Sequence, residues 1–459
     1  RSSDLSGQEG YDGTNNAWKF KDSTDNGTHR LDQPIALTNN AVYCFSIYAK
    51  EGEHDTIGIE IGNSAVADNN VFFNLSNGTK SESGNIIGSS MIDVGNGWYR
   101  CSVTSTAGLI DRMLLQVQTG STASYTGNGT DGLYIQDAQL EQGLAASPYI
   151  ETTTTTAQAG VLENTPRLNY TTGVANPYLL LEPSRTNAIT QSEYYNASWN
   201  LTSVSVTDNA ITSPEGVQNA SEFTNNITNN QHKVVFESLS VTSGVTYVAS
   251  IYFKSNTAQW VRIQSGGPAM GALYWQNFDI VNGLKGDRGS NTGADDATIE
   301  SFGNGWYKCT LPITAALTAF GGQLQLRILE DNASSTAPIF TGTGLSSYAY
   351  GAQFEQGTYP TSYIPTYSVS ATRASENIVC NQLQSKGIIS STQGTILFDV
   401  KEKFGTAVQW NIQNQTSLDY ALRVQFREDG FIVFEKIPAG QATVRSVTGL
   451  TVSRYRIAM

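Results

Sequence analysis

The chain has 459 residues, enough for about three domains at a typical ~150 residues each. A net charge of −13 and the lack of any basic stripe exclude nucleic acid as a partner, because phosphate binding depends on clustered Lys and Arg. No apolar stretch approaches the ~20 residues of a membrane helix and no signal peptide is visible, so we expect no membrane insertion.

The composition is typical of an all-β protein. Gly, Ser, Thr and Asn are abundant, while 39% of residues are hydrophobic and only 15% are charged. Short alternating apolar runs broken by Gly, Asn and Asp recur along the whole chain, and this period of two predicts strands with one face on a core. The hydrophobic content is sufficient for packed cores, so global disorder is excluded.

A duplicated block of sequence dominates the chain. Four segments return in the same order, at offsets that grow from 203 to 214: residues 12–29, 45–50, 95–101 and 137–143 match residues 215–232, 249–254, 303–309 and 351–357. Ordered self-similarity with drifting offsets indicates a duplicated domain with loop insertions. A module of roughly eight strands over ~150 residues fits a two-sheet β-sandwich or jelly roll.

In chain order, the first module is predicted over residues 1–151. Residues 42–48 are rich in β-branched and aromatic side chains, which favours a strand. Gly-Asn-Gly at residues 95–97 predicts a tight turn before the next strand, since Gly and Asn tolerate positive φ. The second copy has an additional leading segment at residues 194–199, so we expect the sequence to begin inside module one of a longer polypeptide.

The remaining regions are a linker, the second module and a third β region. Residues 152–190 are predicted to form an extended linker that lies along the modules. The linker is not a disordered spacer, because the Leu run at 179–181 must be buried. Glu182 and Arg185 are expected to form an ion pair or to cap turns. Residues 191–370 form module two. Residues 371–459 are expected to start a truncated third β-sandwich, with a strand at residues 394–400.

The four cysteines do not indicate a disulfide scaffold. Cys101 and Cys309 hold matching positions of the two copies and are expected in the cores. Only Cys44 and Cys101 could pair within one module, and the spacing, Cys380 included, matches no metal pattern.

Some chemically versatile residues recur in both copies and are assigned to the fold: His29 and His232, Glu141 and Glu355, Trp98 and Trp306. The histidines are expected to make a shared turn hydrogen bond, and the tryptophans to pack. One carboxylate per module is not the pair, ~5–10 Å apart, that glycoside hydrolysis needs. No nucleophile elbow, phosphate loop or zinc motif is present, so we expect no enzyme, no catalytic residues and no metal site.

The Asp/Asn-rich loops at 128–131 and 295–296 have oxygen ligands suited to Ca²⁺, but their spacing is not that of an EF-hand, and we expect no cofactor.

Three aromatic residues are private to the second copy and are the candidate ligand-binding residues: Trp260, Tyr274 and Trp275. At the corresponding positions the first copy has Thr56 and the pair Asn69-Asn70. Exposed Trp and Tyr offer large flat faces on which sugars stack. The added aromatics indicate either a glycan-binding face or a contact with a neighbouring subunit, and the sequence is equally compatible with both.

The second copy resembles a module found in tail-fibre, tail-spike and head-fibre proteins of tailed bacteriophages. The first copy departs from the motifs, with Asp137 in place of the leading Gly of the fourth segment and AASPY at residues 145–149. The motifs that carry the resemblance are LLLEPSRTN at residues 179–187, GNGWYKC at 303–309, GAQFEQG at 351–357, PTSYIPT at 360–366 and TRA at 372–374.

This resemblance implies carbohydrate-binding-module-like β-sandwiches followed by a concanavalin-like (LamG-type) domain. It also implies a virion protein at the particle surface, most directly a tail fibre that contributes to recognition of a host-surface glycan. A head fibre or capsid decoration protein is the alternative, and a glycan depolymerase or a secreted carbohydrate-binding protein is less favoured. The implied partners are other virion proteins and further copies of the chain. Fibres are often trimeric, although no coiled-coil heptads occur here.

Overall fold

The fold was analysed in a computed structural model. It describes residues 5–39, 41–62, 69–106, 112–118, 120, 122, 124–152, 155–157, 167–169, 178–293 and 296–375, and the backbone of strands at 397–401, 408–414, 417–426, 432–437, 443–447 and 454–458. The chain divides into two compact units. One contains Arg1–Gly160, Thr186–Glu355 and Ser362–Thr372, and the other contains Val161–Arg185, Gln356–Thr361 and Arg373–Met459.

Module one is a two-sheet antiparallel sandwich. One sheet has the order β1-β2-β13-β5-β10-β9, the other has the order β4-β11-β6-β7-β8, and β3 pairs with β12. The strands are β1 Leu5–Gln8, β2 Ala17–Lys21, β3 Asn26–Gly27, β4 His29–Pro34, β5 Val42–Lys50, β6 Thr56–Gly62, β7 Asn70–Asn74, β8 Thr79–Ser83, β9 Gly88–Gly95, β10 Trp98–Thr106, β11 Arg112–Gln118, β12 Tyr125–Thr126 and β13 Gly132–Gln142.

Between the modules and at the start of module two lie short elements: β14 Arg167–Asn169, β15 Tyr178–Leu180, β16 Arg185–Asn187 and the one-turn helix α1 Tyr195–Ser198. The strands of module two are β17 Asn200–Thr202, β18 Val204–Ile211, β19 Ala220–Asn225, β20 Asn229–Asn230, β21 Lys233–Val241, β22 Thr246–Ser255, β23 Trp260–Gly266, β24 Trp275–Asp279, β25 Leu284–Arg288, β26 Thr298–Gly303, β27 Trp306–Thr314, β28 Ala319–Leu329, β29 Phe340–Thr341 and β30 Ser346–Gln356, followed by β31 Ala371–Arg373.

Module two repeats the topology of module one. Its sheets have the orders β18-β19-β30-β22-β27-β26 and β17-β21-β28-β23-β24-β25, with β17 as an added edge strand. The prediction of tandem β-sandwich modules is confirmed, while the estimate of eight strands per module was too low. Short edge strands such as β8, exposed along its whole length, lack the apolar alternation by which sequence reveals a strand.

Each core lies between the two sheets of its module. In β6 the alternate residues Ile57, Ile59 and Ile61 are fully buried, and they share one cluster with Cys101 and Val103 of the facing sheet. Because side chains alternate across a strand, this period of two commits one face of β6 to the core. The turns predicted at residues 95–97 and 303–305 are present, with positive φ at all three positions of each.

The thiols of module one do not form a disulfide. Cys44, Cys101 and Cys309 are free and buried, so Cys101 and Cys309 are core residues, as predicted. Cys44 lies opposite Thr104 across the β5–β10 pair, whereas Cys101 lies opposite Ile47, and this register keeps the two thiols apart. Cys380 lies outside the described residues.

The second unit contains part of the linker and the C-terminal strands. β14 pairs with β15, so this part of the linker forms a small antiparallel ribbon. Glu182 forms an ion pair with Arg373 at 3.2 Å, and the Arg185 guanidinium lies 5.7 Å from the centre of the Tyr359 ring. The predicted pairing of Glu182 with Arg185 stays a prediction. The concanavalin-like assignment of the C-terminal region stays a prediction. Its strands form a two-stranded and a four-stranded antiparallel sheet: β32 Leu397–Lys401, β33 Val408–Asn414, β34 Ser417–Phe426, β35 Ile432–Ile437, β36 Thr443–Val447 and β37 Arg454–Ala458.

Candidate binding face of the second module

The outer face of the β17–β25 sheet carries polar and aromatic side chains that module one lacks. Strand β23 reads W-V-R-I-Q, and its Val261 and Ile263 enter the core, so Arg262 and Gln264 point to the outer face. Strand β28 follows the same rule. Its Leu324, Leu326 and Ile328 are core residues, which leaves Gln325 and Arg327 on the outer face.

Strand register aligns three cations across this face. Arg327 lies directly opposite Lys233 on one side and Arg262 on the other, and Arg262 in turn lies opposite Asn277. We call Lys233, Arg327 and Arg262 the cation row. Neighbouring strands are ~4.8 Å apart, so the three backbone positions span about 10 Å. Like charges placed directly opposite each other in a sheet are destabilising.

Arg262 is fully buried and clamps a loop over the face. Its Nε donates to Asn277 Oδ1 at 2.7 Å, and its Nη1 and Nη2 donate to the carbonyls of Ser335 and Ala333 at 2.7 and 2.6 Å. The guanidinium carbon lies 3.8 Å from the centre of the Trp275 ring. Burial, and then the charge of Arg327, lower the pKa of Arg262 to about 9.

Arg327 is also buried, and its hydrogen bonding is incomplete. Its Nη1 donates to Gln231 Oε1 at 2.7 Å and its Nη2 to Gln325 Oε1 at 2.6 Å. Its Nε, which is also buried, has no hydrogen-bond partner among the described residues. Burial lowers the pKa of Arg327 to about 10. Burial and the charge of Arg327 also lower the pKa of Lys233, against the opposing effect of Glu237.

No carboxylate neutralises the cation row within the described part of the chain. None of the ion pairs found there includes Lys233, Arg262 or Arg327. The acids that influence these cations act at longer range: Glu237 on Lys233 and Asp287 on Arg262. Buried charges are ordinarily paired, because desolvation of an isolated ion is costly.

Module one has a different face at the same place. There the equivalent row reads Arg30, Gln116, Gly58 and Phe72 across β4, β11, β6 and β7, with a single cation. Its surface has a shallow depression whose lining includes Thr56, Phe72, Lys80 and Gln118.

The structure separates the three aromatic residues predicted for binding. Trp260 and Trp275 lie on the outer face, Trp260 half-buried opposite Leu329 and Trp275 buried beneath Arg262. Tyr274 instead packs against the core cluster. Whether the three residues bind a glycan or a subunit stays a prediction.

Sequence reasoning missed the cation row, although a signal was available. Aligning the copies at the offset of β23 places Arg262 over Gly58, and the register of β28 places Arg327 over Gln116. Charged residues at alternate positions of a strand whose other positions are apolar mark the outer face of a sheet. Arg262 and Arg327, which the first copy lacks, therefore indicated the outer face of this sheet as well as the added aromatic residues did.

The shared histidines make the predicted structural hydrogen bonds. His29 accepts from the Ser23 amide at 3.1 Å, and its Nε2 lies 3.2 Å from the Tyr125 carbonyl. His232 lies 2.8 Å from the Ser203 carbonyl and 3.1 Å from the Phe340 carbonyl. Each imidazole lies 4.4 Å from the aromatic ring of its partner at 51°, so both copies use histidine to hold a short strand.

The shared glutamates and their neighbouring glutamines hold the chain that follows the last long strand of each sandwich. Gln139 donates to Glu141 at 2.7 Å and accepts from the Ile150 amide at 2.7 Å. Gln353 donates to Glu355 at 2.8 Å and accepts from the Ile364 amide at 2.7 Å. In each module the Gln–Glu pair of the last long strand is therefore hydrogen-bonded to the segment that follows that strand.

The first residue of the GAQ motif, Gly351, lies in the same strand as Gln353 and Glu355. In module one, strand β13 has a bulge between Gln136 and Gln139, where Asp137 adopts φ +53. Gly351, at the matching position of module two, has φ +66, a left-handed conformation that favours glycine. The shared tryptophans pack as predicted. Trp98 and Trp306 are buried in separate clusters with Tyr48 and Tyr252, on the side of the sheet away from the main core.

A second polar cluster in module two contains two carboxyl groups. Glu193 is buried and accepts hydrogen bonds from Tyr363 at 3.0 Å and from Tyr367 at 3.3 Å. Asn219 Nδ2 joins it to the exposed Glu215, at 3.1 and 3.5 Å from the two carboxylates. Burial, and then the charge of Glu215, raise the pKa of Glu193 to about 8. Glu193 directly precedes the leading segment at residues 194–199 and has no counterpart in the first copy, so the duplication could not indicate it.

Within the described residues, no group of three or more His, Cys, Asp or Glu is arranged to hold a metal ion. The same residues include no helix with the length and apolarity to span a membrane.

Comparison with solved structures finds similar chains, one of which is described below. No family model matches the chain, and no curated protein matches it. The N-terminal CBM22-1–CBM22-2 tandem domain of Paenibacillus barcinonensis Xyn10C is similar at 11% identity, over 78% of this chain and 92% of that chain, with a TM-score of 0.23. At this TM-score the similarity specifies neither a ligand nor a site.

Proposed function

We propose that the chain is a non-enzymatic adhesion segment of a tailed-phage virion fibre, displayed at the particle surface, and that its second module binds a host-surface glycan. Other virion proteins and further copies of the chain are its expected partners. The motifs at residues 179–187 and 351–366 support the fibre assignment by resemblance. A tail fibre and a head fibre are both compatible with these motifs, and the tail fibre is the form we favour.

One observation carries the glycan proposal: module two carries a set of planar polar and aromatic side chains on one sheet face that module one lacks. Trp260 is half-buried beside a row of guanidinium and amide groups, whereas module one has Thr56 there. Binding sites combine apolar and aromatic surface with a few placed polar groups that fix the orientation of the ligand. A duplicated scaffold in which only one copy carries these side chains on this face is consistent with one copy as spacer and the other as binder.

Location on the particle tests the fibre assignment. We expect antibodies raised against the chain to label the tails of purified particles in electron micrographs. Label on the capsid would favour the head-fibre alternative, and its absence from particles would refute the virion assignment and favour a free secreted binder.

A glycan array tests the binding assignment, with the full chain and two matched variants. Trp260→Ala should lose binding, because it removes the half-buried ring of the proposed face. Thr56→Ala, at the equivalent position of module one, should retain it. Release of reducing sugar from the bound glycan would instead support the depolymerase alternative, and the same array signal from both variants would remove this face from the proposal.

A further inference from the structure

We infer that the glycan bound at this face is acidic, with a carboxylate- or sulfate-bearing sugar placed on the cation row. This inference rests on the proposed function and names the chemistry of its ligand. The site consists of Lys233 and the unpartnered Nε–H of the buried Arg327, with Trp260 one row away on the same face.

The first step is electrostatic. A chain with a net charge of −13 has ample carboxylates, yet three cations lie in register on adjacent strands with none of them ion-paired in the described part. Backbone carbonyls satisfy the hydrogen bonds of Arg262 without neutralising its charge. Repulsion between like charges across the row destabilises the sheet, and a bound anion would relieve that repulsion.

The second step is access. Arg262 is closed off by the carbonyls of Ala333 and Ser335, so a ligand does not reach it directly. Lys233 is half-buried at the other end of the row, with no hydrogen-bond acceptor among the described residues. Arg327 has a buried Nε–H without a partner. An ammonium group and an unsatisfied guanidinium N–H on adjacent strands are suited to one carboxylate or sulfate.

The third step is size. Trp260 lies one row along the strands and two strands across from Lys233. At about 7 Å along the strand and about 10 Å across the sheet, these two positions are about 12 Å apart, so the ligand must be an oligosaccharide and not a single sugar. Such a ligand places its anion near Lys233 while another of its rings contacts Trp260. A nucleic acid is disfavoured, because one short row of cations is not the basic stripe that follows a phosphate backbone.

Binding to defined polymers tests the inference with the full chain. The probes are polygalacturonate, dextran sulfate, neutral dextran and a single-stranded oligonucleotide, measured by biolayer interferometry at several salt concentrations. We expect the acidic glycans to bind, neutral dextran and the oligonucleotide not to bind, and the affinity to fall with salt.

Matched substitutions locate the anion. Lys233→Glu should weaken acidic-glycan binding at least tenfold. Arg30→Glu, its counterpart in module one, should leave binding unchanged. Arg327→Gln should also weaken binding, and circular dichroism shows whether each variant folds; Lys233 is the less buried of the two residues, so its variant is the main test.

The outcomes separate this inference from the proposed function. The inference of an acidic ligand is overturned if the array shows no preference for acidic sugars and Lys233→Glu binds as the parent does. The proposal that module two binds a glycan stands in that case. Absence of any glycan signal would defeat both. Equal losses in the Lys233 and Arg30 variants, or equal binding of the oligonucleotide, would show a nonspecific charge effect and overturn the site.

Discussion

Glu193 provides a sharp test of the folded second module. Its side chain is 1% exposed, and burial together with the nearby charge of Glu215 raises its pKa from an ordinary 4.5 to about 8. The folded state therefore holds a proton that the unfolded chain releases above pH 4.5. A raised carboxyl pKa adds stability that is fully present below the unfolded value and is lost as the pH rises through the folded value.

The size of the effect follows from the pKa shift. One pKa unit corresponds to about 1.4 kcal/mol, so between pH 5.5 and pH 7.5 the free energy of unfolding of module two should fall by about 2 to 3 kcal/mol through this group. Glu193→Gln removes the titration and keeps the shape of the side chain, so the variant should lack this fall. Glu300→Gln, at an exposed position of β26, should behave as the parent does.

The assay is urea unfolding at each pH, followed by hydrogen exchange of peptides from Ser346–Gln356, the central strand of the module. These peptides report module two separately from the rest of the chain. The decisive quantity is the difference in pH dependence between the parent and Glu193→Gln. Parallel pH profiles would show that the Glu193 carboxyl is ionised in the folded state, contrary to the burial argument.

Three further outcomes are expected. Asn187→Ala removes an amide that donates to two carbonyls and accepts from two backbone amides, so the free energy of unfolding should fall by about 3 kcal/mol in urea titrations; an unchanged midpoint would contradict this. Arg262→Met releases the loop that its guanidinium clamps, so limited proteolysis should cut near residues 333–335 faster than in Arg30→Met. The buried thiols of Cys44, Cys101 and Cys309 should react with Ellman's reagent only after unfolding. Fast reaction of all thiols in the folded chain would contradict their assignment to the cores.

The duplication predicts residues of the fold better than it predicts residues of a binding site. Positions that carry the same residue type in both modules share contacts, as with the carbonyl contacts of His29 Nε2 and His232 Nε2 or with the Gln–Glu hydrogen bonds of the last long strands. The repeat thus identified structural residues correctly. It was less informative about the private residues, since Tyr274 packs on the core although it is absent from module one.

The sequence by itself determined the all-β class, the duplication, the position of both tight turns and the core role of Cys101 and Cys309. All of these depend on short-range features: apolar alternation with a period of two, glycines that permit positive φ, and repeated motifs.

Only the tertiary structure decided which side chains meet. The alignment of Arg262 with Arg327 depends on the register between strands far apart in the chain, and a shift of one residue would send either side chain to the opposite face. The burial of Trp275 depends on Arg262 above it, which is held by a loop from beyond β28. The raised pKa of Glu193 requires the packing of Tyr363 and Tyr367 around it, and no local pattern encodes that burial.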